Sequence, residues 1–351
     1  MNRHQRVDVQ CPVPTVKQST VQLAHGGGGR LMQSLIRDVF IRSFGYPPDA
    51  CLHDGATGPV SEGTLAFTTD SYVVHPLFFP GGDIGSLAVH GTVNDLAMCG
   101  AKPLWLSAGF ILEEGLAIET LQRVVDSMAQ AARDAGVSIA TGDTKVVDRG
   151  KGDGIFITTS GVGIVPSGIS LGPRRVVPGD AILVSGDLGR HGVAVLSTRE
   201  GLSFSGSIAS DSAPLHGVVM DLVESGVDIH CLRDLTRGGL ASALHEIATA
   251  AGVTFLLDER TIPVSEEVQG ACEVLGLDPL YVANEGRFVA FVPEREAESA
   301  LGVLRNHAVA KEASLIGKVG RSDRHAVTIK TVLGTHRILD LLSGEQFPRI
   351  C

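Results

Sequence analysis

The sequence predicts a mixed α/β protein of two domains. Three observations point there. Apolar residues alternate between strand-like and helix-like spacing along most of the chain, a Pro- and Gly-rich stretch interrupts that pattern at 165–179, and 351 residues exceed what one ordinary core accommodates. A hydrophobic content of 44% with 19% charged residues is that of a well-packed globular chain.

Residues 1–22 are polar and irregular and read as an arm. The run Gly26-Gly27-Gly28-Gly29 then opens an amphipathic pattern, with Leu31, Leu35, Ile36 and Val39 at helical spacing. Residues 64–69 predict a strand ending at Asp70, and 83–99 a helix carrying Ile84, Leu87, Ala88, Val93 and Leu96. A strand at 104–111 follows. The helix predicted at 118–135 places Leu121, Val124, Val125, Met128 and Ala132 on one face, and strands near 137–141 and 155–164 complete the first half. Beyond the break, strands are expected at 181–185, 228–232, 253–257, 287–292, 313–319 and 326–332, with helices at 238–251 and 294–306. From 336 the periodicity fades. The domain plan is an arm (1–22), a first α/β domain (23–170), a second (171–335) and a flexible tail (336–351), which at full extension reaches about 50 Å.

A net charge of −10, with no basic run, argues against nucleic acid as a partner but not against anionic nucleotides, which bind through Mg²⁺ and backbone amides. No stretch of eighteen apolar residues predicts a membrane span, and Met1–Ser19 has no apolar core of a secretory signal. The six cysteines include no CxxC pair, which argues against zinc sites and disulfide frameworks. A cytoplasmic location is expected.

The glycine run before a helix suits backbone N–H groups facing a phosphate, or equally a plain turn; it is neither a Walker A loop nor GxGxxG. More informative are aspartates set beside Gly, Ser or Thr: Asp70, Asp83, Asp95 after Asn94, Asp143 before Thr144, and Asp234 before Thr236, Arg237 and Gly238. Short turns of this kind, converging on a triphosphate, suit Mg²⁺, which takes a few carboxylates and keeps phosphate oxygens and waters. Each is also a good helix cap or turn residue. Lys145 follows the Gly142-Asp143-Thr144 turn, either meeting a phosphate or acyl oxygen or lying on the surface. Glu285 is a turn carboxylate paired with Arg287 or a general base, and the residues alone favour the pair. Cys351, the last residue, carries an accessible thiol whose thiolate is a strong nucleophile.

Together these parts resemble the HypE family of hydrogenase maturation proteins. Pro348-Arg349-Ile350-Cys351 matches the ending of that family, and the blocks at 25–29, 69–74, 80–101, 141–147, 234–240 and 284–288 match it in order. The resemblance implies a two-domain PurM-like (AIR synthase-like) fold, a homodimer through the first domain, and ATP and Mg²⁺ as cofactors. It implies a carbamoyl group received on Cys351 from HypF, its ATP-dependent dehydration from thiocarboxamide to thiocyanate, and delivery of cyanide to the HypC–HypD complex. By motif match, Asp70, Asp83, Asn94, Asp95, Asp143, Thr144, Asp234, Thr236, Arg237 and Gly238 bind Mg–ATP, with Asp83, Asp95, Asp143 and Asp234 nearest the metal. The same resemblance implies Lys145 and Glu285 as candidates for positioning and deprotonating the thiocarboxamide. The rivals are a synthetase of the same fold acting on a free small molecule, and a nucleotide-gated assembly scaffold.

Overall fold

A computed structural model describes residues 29–35, 37, 56–60, 63–202, 208–321 and 326–342. The 1–22 arm, Gly26–Gly28 and Cys351 therefore lie outside the described residues.

A short helix α1 (Arg30–Leu35) precedes the first sheet. That sheet comprises β1 (Ala56–Val60), β2 (Gly63–Tyr72), β5 (Lys102–Glu113), β6 (Ser138–Val147) and β7 (Ile155–Val165), in the order β1-β2-β7-β5-β6. Every pairing is antiparallel except β5 with β6. A two-stranded ribbon, β3 (Phe78–Phe79) with β4 (Gly82–Asp83), leads into α2 (Ile84–Met98), and α3 (Ile118–Asp134) packs beside it. Strict alternation along β7, with Ile155, Ile157 and Thr159 buried and their neighbours less so, marks a sheet covered on one face. The helices cover the inner face. On the outer face Leu65, Phe67, Trp105 and Ile111 are exposed.

The second domain is a seven-stranded sheet ordered β14-β13-β10-β12-β8-β11-β9. Its strands are β8 (Asp180–Val184), β9 (Cys231–Asp234), β10 (Thr254–Asp258), β11 (Phe288–Pro293), β12 (Ser314–Gly320), β13 (Val327–Lys330) and β14 (His336–Leu339). Helices α4 (Arg190–Glu200), α5 (His216–Glu224), α6 (Gly239–Ala251), α7 (Glu266–Leu275) and α8 (Ala297–Arg305) surround it. Both faces of the central strands are covered, so β8 is apolar after its first residue. Ile182 and Val184 enter the core beneath α6, while Ala181 and Leu183 enter the core beneath α5 and α8.

Helix α2 joins the domains. It is buried nearly all round, and Ala97 and Met98 at its end belong to the core of the second domain. Fully burying Leu87, Val93 and Leu96 contributes about 1.5–3 kcal/mol apiece. Helix α3 is amphipathic instead. Val124 and Met128 are buried, but Val125, expected on the same face, turns toward solvent because one residue advances the helix by about 100°.

Two expectations need correcting. The tail does not begin at 336, because His336–Leu339 forms β14 against β13 and Leu339 is buried. Arg337 anchors it through Asp278 at 3.0 Å. Past it, Arg30 binds the Asp340 carboxylate, the Tyr281 hydroxyl donates to Asp340 O at 2.8 Å, and Arg30 N donates to Leu342 O at 3.2 Å. Nor is Gly142–Lys145 a turn: it lies within β6, held by parallel pairing to β5. Among the described residues, no helix is long and apolar enough to cross a membrane.

Candidate active site

The site begins at the N-terminus of α2. Asp83 is extended and caps the helix, its Oδ1 accepting from Gly85 N at 2.7 Å and Ser86 N at 3.2 Å, while Asp83 N donates to Ser86 Oγ. Such a reciprocal cap is worth about 1 kcal/mol and fixes where the chain enters the helix. Just before it, Gly81 has φ +88°, and a Cβ there would sit 2.7 Å from Ser210 N. Only glycine lets segment 208–215 lie this close, where Ser210 N donates to Pro80 O at 2.8 Å.

On the inner face of the first sheet, β2 alternation turns Thr68, Asp70 and Tyr72 toward α2. Thr68 Oγ1 donates to Asp95 Oδ2 at 2.8 Å, and Asp70 Oδ1 accepts from Ser71 N at 2.7 Å. Tyr72 is buried, and its hydroxyl meets Thr92 Oγ1 at 3.2 Å; Thr92 meets Thr159 Oγ1, which donates to Ala88 O at 3.0 Å. Because a carbonyl only accepts, the chain runs from Tyr72 to Thr92 to Thr159 to Ala88. Burial pushes the Tyr72 phenol well above its ordinary range, and the charges of Asp70, Asp95 and Glu285 push the same way.

Glu285 enters from the second domain on a tightly bonded turn. Asn284 Oδ1 accepts from Gly189 N at 2.7 Å, and its amide donates to Leu235 O and Val282 O. Arg287 does not serve as the expected partner of Glu285 in a simple turn: its guanidinium binds Asp187 Oδ1 at 2.6 Å, Asp187 O, Gly286 O and Val309 O. Those bonds engage most of its donors inside the second domain. Beside this turn runs the other predicted segment. Asp234 is buried and pairs with Phe288 across β9 and β11, Thr236 O accepts from Gly239 N, and Gly238 caps α6 with φ +73°. Arg237 lies in the same turn.

Asn94, expected near phosphates, is buried and bridges the domains. Its Nδ2 donates to Ala213 O at 3.0 Å and Glu285 O at 3.1 Å, and its Oδ1 accepts from Leu215 N at 2.7 Å. Its amide is therefore filled by protein partners. Asp143 and Lys145 form an exposed ion pair at 2.6 Å. The register Ser71–Thr158–Gly109–Asp143 places them on the outer face of the sheet, across it from Asp70 and Tyr72. Thr144 lies between them, opposite Phe110. Within one chain the sheet therefore separates Lys145 from Glu285, because side chains alternate along β6.

Asp83, Asp95, Asp143 and Asp234 do not converge into a cage. Among the described residues, no three His, Cys, Asp or Glu side chains group so as to hold a metal ion. Small groups of carboxylates still suit Mg²⁺, which leaves phosphates and water to fill the remaining positions. Sequence reasoning missed Tyr72, Thr92, Thr159 and Asp211. Tyr72 carried one signal, a polar aromatic on the buried side of an alternating strand. Asp211 looked like any turn aspartate.

The chain matches the AIR synthase related protein models, the N-terminal domain over residues 52–165 and the C-terminal domain over 177–330. It is 52% identical over 336 residues to the carbamoyl dehydratase HypE of Azotobacter vinelandii, covering 96% of this chain and 98% of that protein. A crystal structure of the hydrogenase maturation protein HypE in complex with ATP matches with a TM-score of 0.80 at 51% identity, covering 95% of this chain and 100% of that one. The crystal structure of a HypE–HypF complex matches with a TM-score of 0.83 at 48% identity, covering 88% and 100%. The chain belongs to the AIR synthase related proteins and, within them, to the HypE family of hydrogenase maturation proteins.

Proposed function

We propose that this protein is an ATP-dependent carbamoyl dehydratase that works on a carbamoyl group carried by its own Cys351, converting thiocarboxamide to thiocyanate for hydrogenase iron-centre assembly. The observation that carries the reading is the joining of the Glu285 turn to α2 across the domain boundary: Asn94 Nδ2 donates to Glu285 O at 3.1 Å, and the next residue, Asp95, accepts from Thr68 on β2 at 2.8 Å. The kinship to a carbamoyl dehydratase and to an ATP-bound HypE supports it.

A carbamoyl oxygen is a poor leaving group; ATP, when bound, supplies the phosphoryl group that makes it a good one. The first N–H proton leaves as the oxygen is phosphorylated, and the second leaves as phosphate departs and the C≡N bond closes, with ADP and phosphate as products. Glu285 accepts a proton from that nitrogen and is well suited to it, being buried and held on a rigid turn. Asp70 and Asp95 would hold Mg²⁺, which would neutralise phosphate charge there, while Asp83 caps the far end of α2, about 18 Å before Asp95 along the helix. Asp234, Thr236, Arg237 and Gly238 border the same turn as Glu285. Most of the work is positioning and charge neutralisation.

Because the sheet separates Lys145 from Glu285 within one chain, Lys145 stabilises charge on the carbamoyl oxygen only at a site completed by a second copy of the chain, which supplies the Glu285 that faces it. A homodimer built on the apolar residues of the outer face, Phe67, Trp105 and Ile111 among them, would cover it and desolvate the Asp143–Lys145 pair. HypF is the proposed carbamoyl donor, in line with the HypE–HypF complex, and HypC–HypD the acceptor.

The test follows the peptide that contains Cys351 by mass spectrometry, with HypF, a carbamoyl donor and ATP. Gain of a carbamoyl group followed by loss of water is expected; Cys351→Ala abolishes both and leaves ATP affinity unchanged. Carbamoylation that persists unchanged in the presence of ATP, or ATP binding lost with the thiol, overturns the proposal.

A further inference from the structure

Glu285 owes its placement to residues outside its own turn, and they grip one peptide group from both ends. The carbonyl of Glu285 accepts from Asn94 Nδ2, on α2 of the first domain, at 3.1 Å. The N–H at the other end of that peptide, on Gly286, donates to Asp211 Oδ2 at 3.0 Å. The second oxygen of Asp211 accepts from His191 N at 3.0 Å, so the carboxylate joins the start of α4 to the Glu285 turn. A peptide plane fixed at both poles cannot rotate, and rotation of that plane would swing the Glu285 side chain.

Asp211 is buried within segment 208–215, which crosses between the domains. One residue earlier, Ser210 N donates to Pro80 O, in the turn that precedes the Asp83 cap. Two residues later, Ala213 O accepts from Asn94. The approach is close on both sides. A Cβ on Gly81 would strike Ser210, and a Cβ on Gly286 would strike Asp211 O. The segment therefore links the entrance of α2, the bridging Asn94 and the Glu285 peptide through backbone contacts with no room for slack.

We infer that Asp211 is a positioning residue: it holds the Glu285–Gly286 peptide so that the Glu285 carboxylate faces the reacting nitrogen, and the 208–215 segment ties that placement to the turn ahead of Asp83. This rests on the proposed dehydration. Asp211 touches no substrate and acts through Glu285 alone. Misplacing a reacting group by about 1 Å costs on the order of 10²-fold in rate, and that is the effect a loosened Glu285 peptide produces.

The test uses the full chain carbamoylated on Cys351, in single turnover with ATP. Asp211→Asn keeps the size but sets an amide N–H against one of the two backbone donors. It is expected to slow dehydration by about 10²-fold while ATP affinity stays within about twofold. In the Glu285→Gln background the same change is expected to cost nothing further, because the group it positions is already disabled. Multiplying losses, an unchanged rate, or lost ATP binding overturns the inference. Amide exchange on the peptide spanning 282–290 tests the grip without any chemistry. Faster exchange at Gly286 in Asp211→Asn supports it, and unchanged exchange overturns it. Should Glu285→Gln itself leave dehydration intact, the base assignment falls, and exchange alone judges the brace. Asp211→Ser, which keeps one acceptor, repeats the exchange measurement if the Asn variant does not fold.

Discussion

Gly91→Ala tests whether the packing of α2 against Tyr72 is as tight as the buried hydroxyl chain requires. A Cβ at 91 would overlap the Tyr72 hydroxyl outright and lie 3.1 Å from its Cε1 and Cζ. In an open helix this substitution gains about 1 kcal/mol from propensity. Here the ring has nowhere to retreat, since Tyr72 is 2% exposed and packed within the first core. Forcing it aside costs about 1–3 kcal/mol, and pulling its hydroxyl from Thr92 leaves buried polar groups without partners at about 1–3 kcal/mol more. The net expectation is a loss of about 1–5 kcal/mol, or a melting point lower by roughly 1–7 °C in a chain of this size. Calorimetry on Gly91→Ala, Tyr72→Phe and the double variant separates the causes. Tyr72→Phe alone loses about 1 kcal/mol but removes the overlapped oxygen, so the double variant should be more stable than Gly91→Ala by about 2 kcal/mol. A Gly91→Ala protein as stable as its parent, or losses that simply add, would refute the reasoning.

Two further outcomes follow from the same contacts. Burial, reinforced by His216 and partly opposed by Asp134, pushes His90 down to about 4, while its Nδ1 meets Ser212 Oγ. The unfolded chain therefore takes this proton first: stability is complete above the unfolded value of about 6.5 and falls by up to about 3 kcal/mol as pH drops to 4. Unfolding free energies of His90→Gln across pH 4–7 should show a shallower acid slope than the parent, and parallel slopes would refute this. On the outer face, Trp105 is 60% exposed among apolar neighbours, so Trp105→Glu should convert a dimer to a monomer by sedimentation; an unchanged mass would remove that face from the interface.

How much of this was legible before the structure depended on whether local signals and tertiary contacts agreed. Helix α2 was visible because an Asp cap and an apolar run coincide, and the break at 165–179 was visible because Pro and Gly cluster there. Gly142–Lys145 looked like a turn because Gly, Asp and Lys are poor strand formers. Hydrogen bonding to β5 overrides that preference and puts Asp143 and Lys145 on the outer face. Helix α5 escaped notice because His216–Glu224 is short and offers only Val218, Val219 and Leu222 as a buried face. The site aspartates were recognisable as a set, but their sorting was not. Only folding shows that Asp83 caps, Asp95 receives Thr68, Asp143 pairs with Lys145, and Asn94 spans the domains. Asp211 carried no signal, because its partners are backbone N–H groups 20 and 75 positions away.

The early anchoring of the tail shortens the path to Cys351 without placing the site beyond its reach. With Leu342 held by Arg30, nine residues remain to Cys351, at most about 30 Å of chain instead of the 50 Å expected from 336. The anchor is well placed for that shorter tether. The Tyr281 hydroxyl rests on Asp340 O, two residues before Leu342, and Glu285 follows Tyr281 by four residues, no more than about 15 Å along the backbone. Covalent geometry alone therefore keeps Glu285, the proposed base, within the span of chain that leads to Cys351. The local concentration of a tethered group falls roughly as the −3/2 power of tether length once the tether exceeds the gap. Pinning β14 and Asp340 to the second domain thus shortens the stretch of chain that separates Cys351 from the last anchored residue. Under the proposed dehydration, transfer from a carbamoyl donor must therefore occur within about 30 Å of Leu342.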